Sequence, residues 1–119
     1  MNMSIREQEK KQREWVKTLE VGDEVAIESG GFAYRHWSIY KVIKITPTGR
    51  LNLEKGLVAN PDGTLRGDTF SKIYEVTDEI RKSIWRRNAQ YKVSKINIKK
   101  LPDEALKKML EIYVQYHQQ

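Results

Sequence analysis

The sequence predicts an α+β protein in which a small, strongly bent β-barrel is preceded by one helix and followed by two. Three observations carry that prediction. Between Val21 and Tyr74, short segments of alternating character are separated by tight-turn signals, above all Thr46-Pro47-Thr48-Gly49 and Asn60-Pro61-Asp62-Gly63. The two flanks instead carry capping residues and apolar residues at helical spacing. The length of 119 residues, with 39% apolar and 32% charged, suits a single globular domain with little surplus core. The chain divides accordingly into a charged helix over residues 1–19, a barrel over 20–76 and a basic two-helix extension over 77–119.

Ser4 followed by Glu7 is a capping box, and Glu7 with Lys11 and Glu9 with Arg13 stand in the favourable acid-first i,i+4 order. The apolar positions of this first helix are Ile5 and then Trp15, Val16 and Leu19, so its C-terminal end is expected to dock while its beginning stays solvated. Gly22 and Asp23 turn the chain into a strand from Glu24 to Glu28, where Val25 and Ile27 share a face. Gly30-Gly31 supplies a hairpin loop, and a long strand runs from His36 to Ile45. There Ile39, Ile43 and Ile45 alternate onto one face and Val42 onto the other; either both faces are covered or a bulge shifts the register. Leu51 and Leu53 form the inward face of the next strand, the Asn60–Gly63 turn joins Leu57–Ala59 to Thr64–Arg66, and Phe70 to Val76 closes the set. About five short strands in such a length suit an SH3-like barrel.

Thr77 is a good N-cap, with Asp78 and Glu79 in the first turn, where the helix dipole favours acid. Ile80, Ile84 and Tyr91 mark the expected buried side, with Trp85 at its margin. The last helix starts near Pro102, which a first turn tolerates. Its stripe of Leu106, Met109, Leu110, Tyr113 and Val114, widened by Ala105, Ile112 and Tyr116, follows helical periodicity and is broader than a solvated tail requires. Packing within its own chain is the expected fate of this stripe, and a second chain is the alternative. The expected state is therefore a monomer, with a dimer through the last helix as the other possibility.

The run VGDEVAI, then KVIKITPTGRLNLE, NPDGTLRG, a TDEIR helix and an LPDEAL helix resembles a group of small phage and prophage proteins of unassigned activity. The resemblance covers roughly residues 12–112, and its most specific element is Lys41-Val42-x-Lys44-Ile45-Thr46-Pro47-Thr48-Gly49-Arg50. It implies a phage-associated accessory gene and transfers no catalytic residue. The aromatic His36–Tyr40 segment and the charged first helix depart from it.

The absence of cysteine excludes disulfides, thiolate chemistry and cysteine-based zinc sites. Apolar runs are too short for a membrane span and the N-terminus lacks a signal-peptide core, so the expectation is a cytoplasmic protein, in the host cytoplasm if phage-encoded, with no membrane partner. His36 and His117 are the only histidines, and a Ser38-His36-Asp23 arrangement lacks the turn that presents a nucleophile. The glycines mark turns and do not cradle a phosphate at a helix start. No enzyme activity, metal or cofactor is expected.

Binding features are richer. Residues 1–20, 21–76 and 77–119 carry net charges of +1, 0 and +5, so the C-terminal third holds nearly all of the +6 total. A localised positive field attracts polyanions, whereas a solvated basic face is the plainer explanation. Two groups of residues are candidates. Phe32, Tyr34, Trp37 and Tyr40 interleave with Arg35, Lys41 and Lys44 around the first hairpin, as on a base-stacking platform, although Trp37 and Tyr40 also suit a barrel wall. Arg81, Lys82, Trp85, Arg86, Arg87 and Lys92, continued by Lys95, Lys99 and Lys100, form the stronger polyanion footprint. The function expected is a non-enzymatic accessory protein binding nucleic acid or a nucleic-acid–protein complex. The alternatives are a protein-directed module that inhibits a host defence nuclease through an acidic or nucleic-acid-bound target, and a virion or assembly component.

Overall fold

In a computed structural model, which describes residues 3–30 and 34–117, six antiparallel strands close into a barrel. They are β1 (Glu24–Ser29), β2 (His36–Ile45), β3 (Leu51–Leu53), β4 (Val58–Ala59), β5 (Thr64–Leu65) and β6 (Asp68–Tyr74). Each strand pairs with the next in sequence, and β1 pairs with β6 to close the ring. The count exceeds the expected five by one, with β3 and β4 parted by a 3-10 turn at Glu54–Gly56 and the two-residue β4 and β5 lying either side of the Asn60–Gly63 turn, as read from the sequence. That turn is closed by the Gly63 amide donating to the Asn60 carbonyl at 2.9 Å, with Gly63 at φ 91°. Its twin at 46–49 has the Gly49 amide donating to the Thr46 carbonyl at 2.9 Å. The expected hairpin glycine Gly31 and the aromatic position Phe32 lie outside the described residues.

Of the two readings of β2, the structure selects the bulge. Pairing with β3 slips between Val42 and Lys44: Val42 faces Leu53, Lys44 faces Asn52 and Ile45 faces Leu51. Ile43 is the extra residue and is 56% exposed, whereas Val42 is buried. The face expected to carry Ile39, Ile43 and Ile45 together is thus broken, since one inserted residue reverses the alternation downstream of it. Val42 fills the core with Val25, Ile27, Leu51, Leu53, Ala59 and Ile73.

Helix α1 (Ile5–Thr18) is capped by the Ser4 hydroxyl, which accepts from the Glu7 amide at 3.2 Å. Arg13 lies 3.7 Å from Glu9, in the predicted acid-first order. Only the C-terminal end of α1 docks: Val16 and Leu19 are buried in the barrel core, Trp15 packs against it, and Ile5 is exposed. A polar tether adds direction, the Gln12 side-chain amide donating to the Ile73 carbonyl at 2.7 Å. Gly63 lies directly under Gln12, so that a Cβ there would stand only 2.9 Å from Gln12 Cγ. This glycine therefore serves both the turn and the close approach of α1.

Helix α2 (Asp78–Ser94) is capped by Thr77, whose hydroxyl accepts from the Ile80 amide at 3.2 Å. Ile80 is buried and Ile84 half-buried, as expected, but Tyr91 is 64% exposed, with the Lys95 ammonium 5.1 Å from its ring centroid. A short 3-10 turn at Ile98–Lys100 leads to α3 (Asp103–His117). No residue of α3 is buried. The burial within the chain expected of its apolar stripe is not realised. Two compact units are distinguishable, residues 1–86 and 87–119.

Candidate nucleic-acid interface

The hairpin group does not assemble as the sequence suggested. Trp37 and Tyr40 are three residues apart on a strand and so lie on opposite faces. Tyr40, opposite the buried Val25, is half-buried and packs against the core. Trp37 stands on the outer wall, half-buried, with its ring 5.3 Å from Tyr74 in an edge-to-face arrangement. Arg35 is 3.0 Å from Glu28, which offsets its charge locally. Lys44 is exposed on the far side of the bulge, and Tyr34 is 81% exposed.

Sequence reasoning missed the residues that flank Trp37. Phe70, Lys72 and Tyr74 occupy alternate positions of β6 opposite in parity to the buried Ile73, and Phe70 is fully exposed. The period-two pattern around Ile73 was the available signal. With Trp15 and Ile5 of α1, these side chains line an open groove of about 1200 Å³. Its ionic lining is mixed: Glu9, Asp62, Glu75 and Glu79 stand among Lys11, Arg13 and Lys72. Such a groove offers aromatic surface without the positive field that a phosphate backbone requires.

The helical group fares better. From Ile80 to Pro102 the chain carries eight basic residues and no acidic one. Lys82, Arg86, Lys92, Lys95, Lys99 and Lys100 are exposed, and so is Trp85, at 70%. Two arginines depart from the expected cluster. Arg81 reaches Glu24 of β1 at 2.9 Å and fastens the start of α2 to the barrel. Arg87 is half-buried; it stands seven residues after Ile80 and three after Ile84, and so falls on their side of the helix. Arg86 follows Lys82 by four residues and shares its side of the helix, whereas Arg87 lies on the side of Ile80 and Ile84. The exposed set within α2 is therefore Lys82, Trp85, Arg86 and Lys92.

His36, opposite Ser29, and Asp23, which precedes Glu24 opposite Lys41, lie at opposite ends of the β1–β2 pair. The His36 ring sits 3.0 Å from the Tyr34 carbonyl, and Asp23 accepts from the Glu20 amide at 2.8 Å. Among the described residues no group of three or more histidines or carboxylates is arranged to hold a metal ion. None of the described helices is long and apolar enough to cross a membrane. The class defined by fold and surface is a small closed antiparallel barrel with a basic helical extension. No family model matches the chain, and comparison with curated proteins and with solved structures returns no match.

Proposed function

We propose that this is a non-enzymatic phage accessory protein that binds nucleic acid, alone or within a nucleic-acid–protein complex, through the exposed face of α2 centred on Trp85. The observation that carries the reading is the exposed tryptophan on a carboxylate-free basic segment: Trp85 is 70% exposed, with Lys82 and Arg86 exposed beside it. Solubility accounts for the lysines and arginines but not for an indole left in water. Stacking of a base on Trp85 with phosphates at Lys82 and Arg86 uses all three. The resemblance of residues 12–112 to phage and prophage proteins supports the accessory role.

Fluorescence anisotropy with labelled single-stranded and duplex oligonucleotides, repeated over a salt series, tests the proposal. Affinity is expected to fall steeply with salt, by roughly 0.7 to 0.9 logarithmic units per decade for each phosphate neutralised. The double variant Lys82→Glu, Arg86→Glu should bind at least about tenfold more weakly with a flatter salt slope. Trp85→Ala should lose about 1–3 kcal/mol on the single strand. A flat salt dependence, or full affinity in the double variant with its circular dichroism intact, excludes the proposal. Should nuclease-treated host lysate still yield a bound protein through Lys82 and Arg86, the inhibitor reading replaces it.

A further inference from the structure

The apolar stripe of α3 is the largest feature that the proposed function leaves unused. At about 100° per residue the long side chains of α3 divide into two arcs, with Val114 among the charged residues and His117 among the apolar ones. Asp103, Glu104, Lys107, Lys108 and Glu111 fall on one arc, with Lys108 3.8 Å from Glu104, and Leu106, Met109, Leu110, Ile112, Tyr113 and Tyr116 fall on the other. The second set is open to solvent, from 37% at Leu106 and Met109 to 69% at Tyr116. For side chains of this size the exposed area is roughly 700 Å², above the largest patch of a typical monomer and close to the approximately 800 Å² each partner contributes to a standard stable interface.

We propose that α3 pairs with α3 of a second copy to form a closed twofold dimer. Three features on the helix fit that occupant. Leu106, Met109, Tyr113 and Tyr116 recur at alternating spacings of three and four, the period at which two helices interlock their side chains. The exposed area approaches each partner's share of a standard interface. The charged residues lie on the opposite arc, so that a twofold pairing buries no like charges against one another. The dimer goes beyond the nucleic-acid reading and stands independently of it, since the stripe contains no residue of the α2 face.

Sedimentation velocity of the full chain over a concentration series is the test. A species of twice 14.0 kDa at low micromolar concentration is expected. Leu110→Glu and Tyr113→Glu, made separately at positions already 62% and 60% exposed, should each yield a monomer with an unchanged circular dichroism spectrum. The chain has no cysteine, so Leu110→Cys alone should form an intermolecular disulfide under mild oxidation, whereas Lys108→Cys on the charged arc should not. The cysteine pair gives an answer even if a glutamate variant unfolds. A monomer throughout the series, a mass that keeps growing with concentration, dimers that persist in both folded glutamate variants, or equal cross-linking at both cysteines would overturn the proposal. Loss of nucleic-acid binding with the dimer intact would bear on the α2 face alone.

Discussion

Asp62 shows how one side chain can hold a turn and respond to pH. Its Oδ1 accepts from the Thr64 hydroxyl at 2.6 Å and from the Thr64 amide at 2.9 Å. The hydroxyl first, and then the amide, hold its carboxyl below the ordinary carboxylate value. A depressed native pKa stabilises the fold at pH values above the unfolded carboxylate value of about 3.9, and that contribution disappears as pH falls through the native value. Urea denaturation of wild type and Asp62→Asn should therefore show a wild-type advantage at pH 7 that shrinks under acid. Midpoints that run parallel across this range would show that the turn bonds do not discriminate the ionised form. Residue identity alone marked the turn, through Pro61, Asp62 and Gly63. The proximity of Gly63 to Gln12 was not legible, because it joins residues that only the docking of α1 brings together.

At the scale of the element, helix ends, turns and the inward residues of β1 and β3 were readable, and the face of β2 was not. Ser4 and Thr77 both act as N-caps, and both four-residue turns close as their sequences imply. The bulge at Ile43 depends on pairing with β3, and alternation within β2 left two solutions until that pairing existed. On α2 the five basic residues were evident, but their division between an outward set and the half-buried Arg87 required the helix to be seated by Ile80. The docked end of α1 is the element whose contribution can be measured most directly. Leu19 is buried against the barrel core, so Leu19→Ala should cost about 2–5 kcal/mol in chemical denaturation. A cost below about 0.5 kcal/mol, typical of surface sites, would mean that α1 does not complete the core.

For the whole molecule, core and charge are distributed unevenly. Every buried apolar residue among those described, from Val16 to Ile80, belongs to residues 1–86. That unit has fifteen basic and thirteen acidic residues, a net +2, whereas residues 87–119 have seven and three, a net +4. A fragment of residues 1–86 should therefore retain the barrel and unfold cooperatively, with a transition as sharp as that of the full chain. Circular dichroism through a urea series checks this, and a broad or absent transition would show that the barrel depends on residues 87–119. By itself the sequence determined the α+β class, the order of helices and strands, the positions of turns and caps, and the concentration of positive charge in the last third. All of these arise from local backbone preferences and composition, which need no partner segment to be expressed. Only the tertiary structure decided the closure of the strands into one ring, the bulge that turns Ile43 outward, the packing of Tyr40 against the core, the pairing of Arg81 with Glu24, and the exposure of Trp85 and the α3 stripe. Each of those depends on which distant residue lies opposite, and sequence periodicity cannot specify that until the barrel has closed.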